Sequence, residues 1–244
     1  KTDRVWVETH FYVVERGVEP GGGSDWVESP PTTHPQLGWV SVSDGRRGLT
    51  VANRGVPEYE ARREDGRVTL YLTLFRSVGW LSRARLPSRR FQAGPLVKTP
   101  GAQCLREMVF EYSLIPHRGD WLDSRAYLRA REFTEPLLAA LVPRRKSVTV
   151  SFLSADTHFL IPTALKLSED GGRVVVRAFN ITGDRFSTRL KLGLRARAVY
   201  KANLLEEPLA RIGGGDSVEL GVGPYEIVTL LLDIANSKRS KDRF

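Results

Sequence analysis

Cysteine is almost absent from this sequence, which has only Cys104 among 244 residues. A single cysteine excludes an internal disulfide and any cysteine-rich zinc site. It is typical of proteins in a reducing compartment, so we expect a cytoplasmic location. Histidine is also rare, and no HxxxH pair occurs. We therefore interpret the four histidines as strand or loop residues rather than metal ligands: His10, His34, His117 and His158.

Long apolar runs and a starting methionine are missing as well. No stretch of 18 apolar residues occurs, so no membrane-spanning helix is predicted. The first residues lack the charged, apolar and small regions of a secretory signal, and Met108 is the one methionine. We expect Lys1 to follow a cut from a longer polypeptide. Without a secretory signal, we interpret the sequon Asn180-Ile181-Thr182 as chance.

Acidic residues are outnumbered by basic ones, and the formal net charge is +9. Such an excess raises the question of nucleic-acid binding. Most of it is arginine, scattered singly along the chain. It is dense only in Arg144-Arg145-Lys146 and in the tail Asn236–Phe244, where no aromatic residues are interleaved for base stacking. We predict no nucleic-acid partner.

The residues that are present alternate between apolar and polar with a period of two, which favours β-strands. The hydrophobic content of 41% and charged content of 27% are ordinary for a soluble folded protein. In the first half, the predicted strands are Val5–Val14, Gly38–Ser43, Gly48–Asn53, Tyr59–Glu64, Arg67–Phe75 and Glu107–Leu114. In the second half, they are Val148–Phe152, Ala164–Ser168, Val174–Asn180, Arg189–Leu194, Ala198–Asn203, Ser217–Val222 and Glu226–Asp233.

Turn residues separate these strands. Asp44-Gly45 and Asp65-Gly66 predict hairpin turns, and the glycines 213–215 predict another. Only Ser124–Phe133 has a helical pattern, with Asp123 or Ser124 as its cap. We predict an all-β fold, in which an antiparallel β-sandwich, one short helix and a smaller C-terminal β-sandwich follow one another. The predicted bounds are 1–117 for the first sandwich, 118–146 for a helical linker, 147–234 for the C-terminal β domain and 235–244 for a basic tail.

No catalytic motif is visible from residue spacing. The sequence has no GxSxG elbow, no phosphate-binding loop and no HExxH helix. Four aspartates stand in turn motifs, where a side chain caps its own backbone, and we interpret them as structural. They are Asp44, Asp65, Asp170 and Asp184.

The longest irregular stretch is Thr73–Gln103, TLFRSVGWLSRARLPSRRFQAGPLVKTPGAQ. Loops of this length inside a compact domain are uncommon and often functional. Arginine forks and aromatic faces suit sugar hydroxyls, whereas the alternative is a structural loop whose arginines bond backbone carbonyls. If the preceding strand continues regularly, Arg76 joins the face of Leu72 and Leu74. A charge there must be paired, so we expect a carboxylate or backbone carbonyls as its partner.

Several motifs along the chain stand in the same order as in a known family. The matching residues are Gly48–Gly55, Glu58–Glu60, Leu72–Arg83, Arg89, Ala93–Pro95, Thr99–Gln103, Ala164–Asp170, Val176–Asn180, Asn203–Glu207 and Pro224–Leu230. They resemble motifs such as GLAVxNxGLxEYE, LTLLRSVGWLSRDDL, TPxAQ, NLLEE and PxEIxTL of family 38 glycoside hydrolases, the α-mannosidases, especially the prokaryotic type. The sequence departs from them at Ala84-Arg85, where two aspartates are frequent, and at Arg90–Gln92.

This resemblance implies that the chain is the second part of a large mutarotase-like sandwich together with a terminal β domain. The zinc-dependent catalytic barrel would lie upstream, so no catalytic residue, metal ligand or cofactor is expected here. The implied parent reaction is retaining hydrolysis of α-mannosides. The expected partners are that barrel domain and an α-mannoside carbohydrate, and an uncovered edge would favour self-association. The candidate substrate-rim residues are Arg76, Trp80, Arg89 and Gln103.

Two other functions stay open at this point. The chain could be a stand-alone carbohydrate-binding module that uses aromatic platforms, with Trp26, Trp39, Trp80 and Trp121 as candidates. A basic interaction module is the third hypothesis.

Overall fold

Antiparallel β-sheets account for most of the regular structure of the chain. The structure is a computed structural model and describes residues 4–19, 21–22, 25–141 and 149–234. The chain divides into two units between Ala139 and Ala140. Within the described ranges there is one α-helix, and no helix is long and apolar enough to cross a membrane. The prediction of an all-β, antiparallel fold is confirmed.

The first unit contains two sheets and the helix. Its elements are β1 (Arg4–Thr9), β2 (Tyr12–Gly17), β3 (Thr33–Pro35), β4 (Trp39–Ser43), β5 (Arg47–Arg54), β6 (Glu58–Glu64), β7 (Arg67–Leu72), a 3₁₀ helix (Pro100–Gln103), β8 (Glu111–Arg118) and α1 (Ala126–Thr134). One sheet has the strand order β2-β1-β4-β5-β8, and the other has the order β3-β6-β7.

The core of the first unit lies between these two sheets. Val7, Val40 and Val51 of the five-stranded sheet are buried in one cluster with Tyr59 and Ala61 of β6. These residues alternate along their strands with residues of the opposite face, as a sheet with two covered faces requires. Burial of this apolar surface is the main force that holds the two sheets together.

The opposite face of the five-stranded sheet is covered by α1, which packs on β5. The ring centroids of Trp39 and Trp121 are 5.3 Å apart, and those of Trp121 and Tyr127 are 5.8 Å apart. Burial of the Tyr127 phenol raises its pKa to about 12. The segment 118–139, which we placed in a helical linker, is thus part of the first unit.

The second unit is a single six-stranded arrangement. Its strands are β9 (Leu153–Ala155), β10 (Leu160–Leu167), β11 (Val174–Asn180), β12 (Phe186–Ala202), β13 (Pro208–Val222) and β14 (Ile227–Ile234). The order is β10-β11-β14-β12-β13, and β9 pairs with β12. Residues such as Val176, Leu190, Leu220 and Leu230 form its buried apolar core.

The predicted first strand, Val5–Val14, is wrong because the chain reverses within it. The strands β1 and β2 pair with Val7 opposite Val14, and His10 and Phe11 form the turn between them. Phe11 has a φ of 59°, in a region that usually takes glycine or asparagine. Since the turn lacks those residues, the alternating pattern gives no sign of it.

The predicted turn at glycines 213–215 is also wrong, because these residues lie inside β13. A Cβ atom on Gly214 would stand 2.8 Å from the carbonyl oxygen of Arg197 in β12. The glycines therefore allow close approach of two strands at a shift in their register. The strands predicted at Arg189–Leu194 and Ala198–Asn203 are also not separate, because both belong to one continuous strand, β12.

Smaller corrections concern where elements begin and end. The predicted strand Val174–Asn180 is confirmed. Of the strand predicted at Val148–Phe152, residue 148 lies outside the described residues, and 149–152 are not in a strand; the neighbouring strand is β9. The cap of α1 is Arg125, with a left-handed backbone and no side-chain capping bond, instead of Asp123 or Ser124. The basic segments 144–146 and 235–244 lie outside the described residues.

Asn180 illustrates why the sequon is structural. Its side chain is completely buried and donates to the carbonyl oxygens of Asp184 at 2.7 Å and Gly223 at 2.8 Å. Its own oxygen accepts from the backbone and the hydroxyl of Thr182. A side chain bonded in this way cannot carry a glycan without unfolding of the turn.

Candidate functional site

The site predicted from the sequence lies in residues 73–110, the connection between β7 and β8. Its regular structure is limited to the 3₁₀ helix and two isolated bridges, Trp80 to Lys98 and Leu86 to Arg89. Two arms of the loop are nevertheless joined by backbone hydrogen bonds. The amide of Val78 donates to Ala102 at 3.1 Å, and that of Thr99 donates to Gly79 at 3.0 Å. The loop thus has a defined conformation without being a sheet.

Arg76 does not lie on a strand face, because β7 ends at Leu72 and not at Phe75. The alternation argument therefore does not reach it. Its side chain is exposed and makes no hydrogen bond or ion pair with any residue that the structure describes. The expected pairing with a carboxylate or a carbonyl is therefore not found within the described ranges.

Trp80 and Gln103 lie on opposite arms of the loop. The ammonium of Lys98 is 5.7 Å from the centre of the Trp80 ring, and 39% of the tryptophan is exposed. The amide nitrogen of Gln103 lies against Gly79, where an added Cβ would approach it to 3.0 Å. The backbone carbonyl of Gln103 accepts from the hydroxyl of Ser77 at 2.9 Å, so this residue helps to close the loop.

Arg89 holds the loop to an earlier segment of the first unit. Its Nη1 lies 3.3 Å from the carboxylate Oε2 of Glu28, and only 14% of its side chain is exposed. The hydroxyl of Ser88 donates to the same carboxylate, and the amide of Ser29 donates to the Ser88 carbonyl. These contacts give Arg89 a structural partner, whereas Arg76 has none among the residues that the structure describes.

Two concavities meet at Arg76. One, of about 570 Å³, is lined by residues that include Arg76, Trp80, Arg83 and Arg89. The other, of about 740 Å³, is lined by Arg76 together with residues that include Glu58. Both volumes are in the range of ligand sites. Three of the four predicted rim residues therefore share one concavity, and Gln103 stands beside it.

Sequence reasoning missed Arg83 and the role of Glu28. Arg83 lines the same concavity as Arg76, yet its spacing in the sequence is not distinctive. A usable signal was present in the charge pattern, because residues 73–106 contain no Asp or Glu. Glu28 is far away in the sequence, and only tertiary structure brings it to Arg89.

The loop also exposes large apolar side chains. Leu105 is 90% exposed and Val109 is 84% exposed, and Leu81 and Phe75 are also exposed. Phe75 stacks on Phe110 with ring centroids 6.3 Å apart. Large exposed apolar patches are typical of interaction surfaces, and this loop contributes several exposed apolar side chains.

The candidate aromatic platforms divide into two classes. Trp39 and Trp121 are buried in the core of the first unit, so they cannot stack on a sugar. Trp26 is 57% exposed and Trp80 is 39% exposed. Only the latter two can act as platforms.

In the ranges that the structure describes, no group of three or more His, Cys, Asp or Glu side chains could hold a metal ion. These residues thus do not fit a zinc site.

Similar proteins give the fold and the loop a context. Residues 160–230 match the family described as "Glycosyl hydrolases family 38 C-terminal beta sandwich domain". A "Putative mannosylglycerate hydrolase" from Halalkalibacterium halodurans is 27% identical over 230 residues, which is 92% of this chain and 23% of that protein. The similarity thus extends over both units.

Two solved structures from Enterococcus faecalis are similar as well. An alpha-mannosidase from strain V583 is 28% identical with a TM-score of 0.73, over 95% of this chain and 24% of that one. A protein in the Glycosyl Hydrolase Family 38 is 27% identical with a TM-score of 0.72, over 95% of this chain and 25% of that one. The resemblance to the C-terminal β-sandwich region of family 38 glycoside hydrolases is confirmed, and the chain spans about a quarter of the length of these relatives.

Proposed function

We propose that this chain is the C-terminal, non-catalytic β portion of an α-mannosidase-like glycoside hydrolase. In this proposal it supports a catalytic barrel domain of the same polypeptide and borders the sugar cleft with residues 73–110. The zinc ion and the catalytic carboxylates would belong to the barrel domain. Support comes from the similarity to relatives that are about four times as long as this chain.

One observation carries the proposal, namely the exposure of ordered apolar side chains on the loop. Leu81, Leu105 and Val109 contribute little to the core of this chain, although backbone hydrogen bonds hold the loop in shape. Covering such side chains is favourable at roughly 25 cal/mol per Å² of apolar surface removed from water. A neighbouring domain would provide that cover.

The rim residues would have distinct roles in the whole enzyme. Arg76 would donate its planar fork of hydrogen bonds to the substrate, and Trp80 would offer an aromatic face. Arg89 would fix the loop through Glu28. Gln103 would hold the second arm against Gly79.

The test uses the full-length parent enzyme with Arg76→Lys and Arg89→Ala. At the cleft, loss of the planar fork or of the loop anchor should lower kcat/KM by at least about tenfold, roughly 1.4 kcal/mol of transition-state stabilisation. Arg67→Lys, an exposed arginine of β7, is the matched control and should leave kinetics unchanged. Unchanged kcat/KM together with a lowered melting temperature would make Arg76 a structural residue and contradict the proposal.

A second measurement uses the chain by itself. Pure protein should not hydrolyse an aryl α-mannoside, with or without added zinc, because the proposal assigns all catalytic groups to another domain. Turnover that persists after removal of contaminating enzymes would contradict this.

We also propose a cytoplasmic location. Its support is the composition alone, with Cys104 as the only cysteine.

A further inference from the structure

The strands β12 and β13 bend so that the second unit has two facing layers. Leu190 near the start of β12 and Val228 of β14 line one concavity, although β14 pairs with residues 196–202 at the end of β12. Among the described strands, one layer therefore contains five segments, in the order β10-β11-β14-β12-β13. The other contains three, because β9 pairs with the first part of β12, which pairs with the last part of β13. The core of a sandwich needs cover from both layers, and here one layer is narrower than the other.

The narrow layer leaves the core-facing side of β10 uncovered. Leu165 lies opposite Val176 of β11, and residues that lie opposite each other share a face of the sheet. Val176 is buried, whereas Leu165 and Leu167 on the same face are 56% and 64% exposed. These two leucines and the exposed Phe152 line a concavity of about 310 Å³. We call this concavity the β9–β10 opening.

The lining of the β9–β10 opening suits apolar side chains better than a polar small molecule. Among its described lining residues, Lys166 alone carries a charge. The ammonium of Lys166 already lies 2.9 Å from the carboxylate of Glu206, and it also pairs with Glu169. Sites for small molecules usually contain a few polar groups that fix the orientation of the ligand. Removal of the apolar lining from water is the main interaction that this opening offers.

The strands beside the β9–β10 opening also have unpaired edges. Among the described strands, β9 pairs only with β12, and β10 pairs only with β11. Proteins normally cover such edges, because their free backbone groups can pair with another extended segment. An extended segment with alternating apolar residues would widen the narrow layer and place side chains over Leu165 and Leu167.

The similar proteins indicate where such a segment can come from. The similarity extends over 92% or 95% of this chain, and so includes the second unit, but over only 23% to 25% of each relative. About three quarters of each relative therefore lies outside the region that matches this chain. A segment of that remainder is the occupant that these lengths favour.

We propose that the β9–β10 opening is the surface through which the second unit docks on the remainder of the parent polypeptide. The occupant is an extended apolar segment of that remainder, which covers Phe152, Leu165 and Leu167. This inference rests on the proposed function, because it gives the same partner a second contact surface. That surface is separate in the sequence from residues 73–110.

The test is hydroxyl-radical footprinting, read by mass spectrometry, of this chain and of the full-length parent enzyme. Phe152, Leu165 and Leu167 should be oxidised at least about fivefold more slowly in the parent, because docking removes them from water. Leu205, which is exposed on the turn between β12 and β13, is the internal control and should react at the same rate in both.

The same measurement reports on the loop of residues 73–110 through Leu81 and Leu105. Slower oxidation of these two leucines in the parent, without slower oxidation at the β9–β10 opening, would reject this inference and leave the proposed function in place. Equal rates at both surfaces in the parent and in this chain would reject both.

Variants of the parent test whether the apolar lining is responsible. Leu165→Glu and Leu167→Glu should each bring the oxidation of Phe152 to within about twofold of its rate in this chain, because a carboxylate without a partner is costly to bury. Leu205→Glu places the same charge on an exposed leucine outside the opening, and Phe152 should stay protected. In this chain by itself, the three substitutions are at exposed positions and should each change the melting temperature by less than about 3 °C.

Three results would overturn the inference. Equal oxidation of Phe152, Leu165 and Leu167 in the parent and in this chain would show that the parent does not dock there. Oxidation in this chain that slows as its concentration rises would assign the opening to a second copy. Slow oxidation in this chain at every concentration would show that the chain covers the opening itself.

Discussion

The first unit contains two surfaces that treat apolar residues in opposite ways. Where α1 covers the five-stranded sheet, Trp39, Tyr127 and Ala130 are buried almost completely. On the loop of residues 73–110, Leu105 and Val109 are almost fully exposed. Both surfaces are rich in apolar side chains and both have a defined backbone. The helix-covered face stabilises this chain, whereas the loop leaves its apolar side chains exposed to solvent.

The largest expected effect comes from matched tryptophan deletions on these two surfaces. Trp39→Ala should destabilise the first unit by about 3–5 kcal/mol, because it removes a buried ring that packs on Trp121. Trp80→Ala should cost less than Trp39→Ala, since 39% of Trp80 is exposed whereas Trp39 is almost completely buried. Urea unfolding followed by circular dichroism measures both. Similar losses in the two variants would show that the loop is part of the folding core.

The same contrast explains what could be predicted from the sequence. Regular burial leaves a periodic trace, so Val174–Asn180 was predicted to the residue. Close approach of strands and tight turns leave no such trace, as the hairpin at Phe11 and the bulge at Gly214 show. These depend on which segments meet in space, and a single sequence does not contain that information.

The loop of residues 73–110 also shows that pattern is predictable and tertiary contacts are not. Its irregular sequence and its length predicted a functional region, and three of the four candidate rim residues line one concavity. The pairing of Arg89 with Glu28 could not be predicted, and neither could the lack of a partner for Arg76 in the described part of the chain, because both depend on tertiary contacts. The resemblance to family 38 predicts where the loop lies in the sequence, whereas the geometry of the loop depends on its tertiary contacts.

Self-association is the next expected effect, and it concerns the edge of the five-stranded sheet beside the loop. Among the described strands, β8 pairs only with β5, and its Tyr112 and Leu114 are more than half exposed. An open edge with apolar side chains favours association. We expect concentration-dependent dimers in analytical ultracentrifugation, and Leu114→Lys should raise the dissociation constant by at least about tenfold.

The control for this experiment is Leu209→Lys, which changes an equally exposed leucine of β13 in the other unit. It should leave the dissociation constant unchanged. A monomer of the unmodified chain at all concentrations would show that β8 does not need a partner, and the contrast between the two surfaces would then be limited to the loop.

The smallest expected effect compares two glutamates, one under the helix-covered face and one on the loop. Glu8 lies under the helix-covered face, where the amide of Gly38 donates to its Oε2 at 3.1 Å. Burial raises the pKa of Glu8 above its usual range, mainly because the ionised carboxylate loses solvation. Its ionised form is therefore less favourable in the folded state than in the unfolded state, and wild-type stability falls as the pH rises through this raised pKa.

Glu8→Gln does not titrate and still accepts the bond from Gly38. It should raise the melting temperature by about 2 °C or more at pH 8, and the gain should shrink as the pH falls to 4. Glu107→Gln, which changes an exposed glutamate of the loop, is the control and should leave the melting temperature unchanged at pH 8. A Glu8→Gln variant that is less stable than wild type at pH 8 would mean that attraction to Arg131 outweighs the cost of burying the charge.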